Sequence, residues 1–324
     1  MSDPEVLVLH TVDASHWTSA DDLVDALAER LPDLDVRVAR TPPESRALVG
    51  DADVVLAAHL PDDLLAAADR LDWVQALSAG VDMFDRDALC ERGVVLTSAA
   101  GVHAEPIAEQ VLGYLLVFER GIHTGLRQQA RGVWRRYEGG EIRGKTLGIV
   151  GLGSIGGRVA SYGDAFGMTV VGTKRDPSSA PEAVDEAVDE ALPPDGLFEV
   201  IERADYLVVA CPLTEETRGL LGWDELTAMR DDAVLVNVAR GEVVDEEALA
   251  YVCQQGAIRG AALDVFAEEP LPADSRLWDL PNVVVTPHMA GSTPHKSARV
   301  AETFATNYRA YVGDDPDGYV NRVV

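Results

Sequence analysis

The chain has 324 residues, 47% of them hydrophobic, which is enough for two ordinary domains with packed cores. Its 55 acidic and 27 basic residues leave a net charge of −28, a field that repels nucleic acid and anionic membranes and argues against both as partners. Only three lysines occur, Lys145, Lys174 and Lys296. An acidic, lysine-poor surface is expected of a protein from a halophilic cytoplasm, where a Debye length of about 3 Å at 1 M salt screens self-repulsion.

Cys90, Cys211 and Cys253 are odd in number and in no CxxC spacing, as expected of reduced cysteines in a cytosolic protein and not of disulfides or a metal site. The opening MSDPEVLVLH has no signal-peptide pattern, and no run of about 18 apolar residues could span a bilayer. A cytoplasmic location is expected.

The first hundred residues alternate strand and helix signals. Glu5–Leu9, Val36–Ala39, Asp53–Ala57, Trp73–Leu77 and Val94–Thr97 read as short strands, with amphipathic stretches such as Asp21–Leu31 and Asp62–Arg70 between them. Ala104–Phe118 is apolar on more than one face and reads as a buried connecting helix. A second series follows at Thr146–Val150, Met168–Gly172, Tyr206–Ala210, Val234–Val238, Gly260–Asp264 and Val283–Thr286, a six-strand doubly wound pattern. The acidic stretch Ala180–Gly196 is ambiguous between helix and loop. A last helix, about Pro294–Val312, is expected to return to the first domain. These signals predict an α/β protein of two domains with parallel sheets covered by helices, the second doubly wound. Residues 1–101 with 293–324 are expected to form one domain and 102–292 the other.

Chemistry attaches first to GIVGLGSIG at 148–156, a strand run leading into Gly151, Gly153 and Gly156 and then a helix pattern from Ile155 to Phe166. Side chains at the first two glycines would hold a pyrophosphate away from backbone N–H groups at a helix N-terminus. A purely structural glycine turn is the competing reading. About twenty residues on, an NAD enzyme usually carries a carboxylate for the ribose 2′-hydroxyl. This chain reads VVGTKRDP, with Lys174 and Arg175 at that point, which suits the 2′-phosphate of NADP(H) and makes it the preferred cofactor over NAD(H). Asp176 as a displaced ribose acid, or two cations merely solvating a turn, are the alternatives. Farther along, NVARGEVVDEEAL (237–249), LDVFAEEP (263–270) and VVVTPHMAGST (283–293) each run from a strand into a polar loop. Carboxyl ends of strands in a doubly wound sheet face the crevice, so Arg240, Glu269 and His288 can converge there as an acid–base set.

With SAGVD (78–82), PIAEQVLG (106–113), GKTLGIVGLGSIG (144–156), ADYLVVACPLTEET (204–217) and TPHMAG (286–291), these segments make the chain resemble the D-isomer-specific 2-hydroxyacid dehydrogenases over nearly its whole length. The resemblance implies an α/β fold of two Rossmann-like doubly wound domains with parallel sheets and an active site in the cleft between them, 1–101 with 293–324 as the substrate domain and 102–292 as the dinucleotide-binding domain. It also implies hydride transfer between a dinucleotide and small 2-oxo or D-2-hydroxy acids, in a homodimer joined through the nucleotide-binding domains. It makes His288 the general acid in reduction. Glu269 would hydrogen-bond the imidazole and favour its protonated form. Arg240 would grip the substrate carboxylate and polarise its carbonyl, and backbone N–H groups of Ala79, Gly80 and Val81 would complete the substrate contacts. Gly151, Gly153, Ile155 and Gly156 would lie under the pyrophosphate. Thr173, Lys174, Arg175, Pro212 and Thr217 would line the adenosine ribose, and Val238, Asp264 and Gly291 the nicotinamide side, with Asp264 receiving the carboxamide. Glu269 argues against the formate-oxidising branch, which pairs its histidine with glutamine. Ending at 324, the chain is expected to lack the regulatory domain of long phosphoglycerate dehydrogenases. Co-repressors with the same fold and the same three residues supply the alternative, a dinucleotide-sensing scaffold.

Overall fold

The structure, a computed structural model, describes residues 4–13, 19–176 and 186–324. The chain divides into two compact units, Met1–His103 with Ser292–Val324, and Ala104–Gly291.

The first unit runs β1 (Val6–Val8), α1 (Ala20–Arg30), β2 (Val36–Val38), α2 (Pro42–Leu48), β3 (Val54–Ala57), α3 (Asp62–Ala67), β4 (Trp73–Ala76), α4 (Arg86–Glu91) and β5 (Val95–Thr97). All pairings are parallel, in the order β2-β1-β3-β4-β5. Strands such as VVLA and WVQA are buried along their whole length because helices cover both faces, so their sequences run apolar instead of alternating. Ser19 caps α1 by accepting from the N–H of Asp21, and Asp21 and Asp22 meet the positive end of the helix. The pattern Asp62–Arg70 gives only a short α3: Ala68 leaves helical geometry at φ −86°, ψ 81°, and the Arg92 guanidinium takes the carbonyls of Leu65 and Ala68.

The closing helix, Lys296–Val312, belongs to this unit. Trp73 stacks on its Phe304 at 4.9 Å between ring centroids, an arrangement worth about 1 kcal/mol beyond area burial. Buried Asn307 donates to Gln75 Oε1 at 3.2 Å and accepts from the N–H of Val320 at 2.7 Å, tying helix, central strand and C-terminal tail together.

The second unit opens with α5 (Ala104–Glu119) and α6 (Ile122–Ala130) and continues with β6 (Thr146–Val150), α7 (Ser154–Ala165), β7 (Thr169–Thr173) and β8 (Glu190–Leu192). Next come α8 (Leu197–Arg203), β9 (Tyr206–Val209), α9 (Trp223–Ala228), β10 (Val234–Asn237), α10 (Glu246–Gln255), β11 (Gly260–Leu263) and β12 (Val283–Val285). The parallel sheet has the order β12-β11-β10-β9-β6-β7-β8. Chain direction across the sheet reverses between β6 and β9, the switch point at which doubly wound folds bind ligands.

This sheet has seven strands where the sequence predicts six. The added strand, β8, falls inside the acidic stretch read as helix or loop, whose residues 180–185 lie outside the described residues. It is a three-residue edge strand, paired Val171 to Glu190 and extended by the Lys174 N–H donating to the Leu192 carbonyl at 2.9 Å. With one neighbour and its Glu190 turned to Arg203 at 2.7 Å, it carries almost no apolar signal.

Candidate active site

The glycine turn joins β6 to α7. Gly151 has φ +101°, and a Cβ there would meet the Cys211 backbone at 2.8 Å, so this glycine is required by its own strand neighbour before any ligand is considered. Gly153 is different: nothing lies within 4 Å of the place a Cβ would take. A Cβ at Gly156 would be 2.0 Å from the Gly151 carbonyl oxygen, so this glycine lets α7 pack down on the turn. The division matches a dinucleotide fingerprint, with one glycine for the turn, one for ligand approach and one for helix packing. Gly153 offers α7 no side-chain cap, so the N–H groups of the first turn, Ile155 among them, are open to phosphate oxygens.

Around this turn lie the residues expected at the adenosine ribose. The Thr173 carbonyl accepts from Gly151 and Leu152 N–H at 3.2 and 2.9 Å, so the end of β7 and the glycine turn form one piece. Lys174 is half-buried and Arg175 exposed at the tip. The loop after β9 is self-supporting: Thr217 Oγ1 donates to the Pro212 carbonyl at 2.6 Å and accepts from Thr214 N–H at 2.7 Å. Glu216 of that loop lies close enough to Arg175 for the guanidinium to help hold its carboxyl below the ordinary range, after hydrogen bonds from Thr214 and its own backbone.

The acid–base residues follow β10, β11 and β12. Asn237, buried at the end of β10, shapes the Arg240 loop by donating to the Arg240 carbonyl at 3.0 Å and accepting from Ala239 N–H at 3.0 Å. The Arg240 guanidinium donates to the Ala239 carbonyl at 2.8 Å, and Val238 bonds back to Val209 at 3.3 Å. At Gly241 a Cβ would fall 1.9 Å from the Phe266 carbonyl carbon, so the loops after β10 and β11 touch backbone to backbone.

In the second of these loops Glu269 is fixed at both oxygens. Oε1 accepts the Phe266 N–H at 3.0 Å, and Oε2 lies 2.7 Å from Nδ1 of His288. His288 itself has φ +50°, a left-handed conformation that costs a non-glycine residue about 1 kcal/mol. Its N–H, shared between the carbonyls of Asp264 (2.8 Å) and Thr286 (3.0 Å), holds it there.

Asp264, expected to receive the carboxamide, is engaged by its own loop. Its side chain is 2% exposed and collects Met289 N–H at 2.9 Å and Thr286 Oγ1 on one oxygen, and Ala290 N–H at 2.8 Å on the other. The carboxylate thus clamps the loop that presents His288. Thr286 in turn bonds to the hydroxyl of Tyr114 on α5. Burial is the main reason the Tyr114 phenol sits above its ordinary range. Tyr114 and Asn237 were given no part in the sequence reading. Tyr114 lies on a helix whose apolar faces are explained by packing, and Asn237 ends an apolar strand, so neither leaves a signal.

Ala79, Gly80 and Val81 belong to the first unit, half-buried just beyond β4. There the Ser78 hydroxyl donates to the Gly80 carbonyl at 2.6 Å, and Ser78 accepts from Ala99 N–H at 2.9 Å. Gly291 closes the second unit.

The family described as "D-isomer specific 2-hydroxyacid dehydrogenase, NAD binding domain" matches residues 112–290, a span that holds the glycine turn, Arg240, Glu269 and His288. The chain belongs to this family. A D-3-phosphoglycerate dehydrogenase of Methanocaldococcus jannaschii is 36% identical over 82% of the chain and 51% of its own length. The chain therefore spans about half the length of the phosphoglycerate dehydrogenases it matches. A glyoxylate reductase of Aeropyrum pernix is 36% identical over 86% of the chain and 85% of its own length. Among solved structures, a family member from Xanthobacter autotrophicus in complex with NADPH and MES superposes with a TM-score of 0.82 at 30% identity, covering 99% of this chain and 98% of that one. Of the described residues, no helix of this family member is long and apolar enough to cross a membrane.

Proposed function

We propose that this chain is an NADPH-preferring reductase of small 2-oxo acids to D-2-hydroxy acids, with Ala104–Gly291 as the dinucleotide-binding domain and the other unit as the substrate domain. The observation that carries the reading is the His288–Glu269 pair, Nδ1 to Oε2 at 2.7 Å, set on strands of the same sheet as the glycine turn. A carboxylate on Nδ1 orients the imidazole and leaves Nε2 to carry the working proton. His288 then protonates the developing alkoxide. Arg240 holds the substrate carboxylate through a planar fork, and the Ala79–Val81 backbone takes its other oxygen. The bound dinucleotide supplies the hydride. Gly153, which leaves open space before an uncapped helix, supports a pyrophosphate at the glycine turn, and Asp264 is proposed as the carboxamide partner from the loop that its carboxylate holds. The nearby NADPH-bound family member and the cations Lys174 and Arg175, where a ribose acid would stand, support the phosphate preference. The glyoxylate reductase, matched over most of both chains, supports a small substrate. A panel of 2-oxo acids run with NADPH and NADH tests the reading. Turnover with NADPH preferred is expected; tight dinucleotide binding without turnover of any acid would overturn it in favour of a sensing scaffold.

Self-association through the dinucleotide-binding unit is part of the same proposal. No residue of α6 is buried, and the chain just after it exposes Val133, Tyr137 and a Trp134 that is 95% accessible. Such a stretch beside a folded domain suits a second copy of the chain. The acidic surface supports salt adaptation.

A further inference from the structure

One of the three lysines occupies a place where a cation has little support. Lys296 is the first residue of the closing helix and is 7% exposed. Among the described residues its ammonium makes no hydrogen bond and no ion pair. Burial alone moves its pKa down to about 8, and no acidic neighbour opposes the shift. At neutral pH the group is still mostly charged. The helix end adds a second penalty, because the amino terminus of a 17-residue helix is itself partly positive. His295, at the cap, makes no side-chain hydrogen bond to it. Side chains on a helix lean toward its amino end, so Lys296 reaches out past the first turn. Positive helix end and buried ammonium together call for a negative group that none of the described residues supplies here.

Hydrogen bonds connect this turn to the proposed substrate loop within the same unit. Arg299, one turn on, donates to the Val102 carbonyl at 3.2 Å, Val102 N–H to Ala99 at 3.2 Å, and Ala99 N–H to Ser78 at 2.9 Å. Ser78 holds the Gly80 carbonyl at 2.6 Å. We infer that the amino end of the closing helix, with Lys296 as its cation, binds a second anionic group of the substrate, making the preferred substrate a 2-oxo acid with a carboxylate at its far end. The inference rests on the reading of Ala79–Val81 as the substrate loop.

Oxaloacetate and 2-oxobutyrate test it, since both have four carbons and differ at the end as carboxylate against methyl. Wild type is expected to favour oxaloacetate in kcat/KM by about tenfold or more. Lys296→Met should remove that preference through KM while leaving 2-oxobutyrate within about twofold, and Lys296→Arg should keep part of it. An unchanged ratio in Lys296→Met, or an equal loss on both substrates, overturns the inference while the reductase reading stands. No turnover of either acid leaves the reductase reading to the full panel of 2-oxo acids, and melting of the apoprotein then decides the inference. Oxaloacetate at matched ionic strength should raise the midpoint of wild type and not of Lys296→Met. Protection by inorganic phosphate alone would assign the site to a free ion and overturn the substrate assignment.

Discussion

Glu269 divides its two oxygens between the Phe266 N–H at 3.0 Å and Nδ1 of His288 at 2.7 Å, so one carboxylate both stiffens its own loop and orients the imidazole on the next. Orientation and proton supply are then separable by mutation. His288→Gln removes the acid and is expected to lower the chemical step by about 10²–10⁴-fold with the dinucleotide Kd unchanged. Glu269→Gln loses the charge and leaves one acceptor oxygen for Nδ1–H at the expense of Phe266 N–H, so a smaller loss of about 10–100-fold is expected. Single-turnover reduction with dinucleotide titration measures both, and near-wild-type turnover in His288→Gln would remove it as the acid.

Lys174 and Arg175 are predicted to set cofactor choice. A 2′-phosphate gives each a charge-assisted partner that a 2′-hydroxyl does not. Lys174→Asp with Arg175→Ala should weaken NADPH binding by about 100-fold, near 3 kcal/mol, and change NADH binding by about threefold or less. Fluorescence titration with both dinucleotides checks this, and parallel losses would dismiss a phosphate site.

The parallel strands were legible because burial on both faces leaves runs such as VVLA and YLVV, and because each run was punctuated by glycine, proline or charge. The Glu269–His288 pairing was legible as a resemblance, and the contact between them is a tertiary fact that no spacing contains. β8 was illegible because an exposed edge strand needs no apolar pattern. The Asp264 clamp was illegible for another reason. Its carboxylate bonds to backbone N–H groups of Met289 and Ala290, and backbone donors are the same for every sequence. Gly151 looked like a ligand requirement and is first a requirement of the Cys211 backbone.

That clamp makes its own prediction. Asp264→Asn preserves shape but must turn an NH2 group toward one of the N–H donors of Met289 or Ala290, or lose Thr286. One unsatisfied buried donor costs about 1–3 kcal/mol. A corresponding drop in the denaturant midpoint is expected, with kcat falling further than stability explains, because the φ +50° conformation of His288 depends on this loop. A fully stable variant of normal kcat would show that the clamp does not position His288.

Salt dependence follows from the charge. With a net −28, lowering ionic strength lengthens the reach of repulsion between exposed carboxylates, from about 3 Å near 1 M to about 10 Å near 0.1 M. Unfolding midpoints should therefore rise steadily from 0.1 M KCl into the molar range. A midpoint indifferent to KCl would contradict salt adaptation.

Lys296 predicts a pH-dependent stability whose sign is opposite to that of a paired lysine. Burial lowers its pKa in the folded chain from the ordinary 10.5 to about 8, so between these values the unfolded chain binds more protons and stability rises with pH. The charge penalty is present in full below about pH 8 and gone above about 10.5. Replacing Lys296 by Met should accordingly stabilise the apoprotein at pH 7 by about 2 kcal/mol, discounted for the water that still reaches the ammonium, and the charge-dependent part should vanish by pH 10.5. Methionine's own packing contributes at every pH, so the difference between midpoints measured at the two pH values isolates the charge. A variant equally stabilised at both would mean that the ammonium is solvated after all, and a lysine at ease in water at that helix end would have no need of an anion.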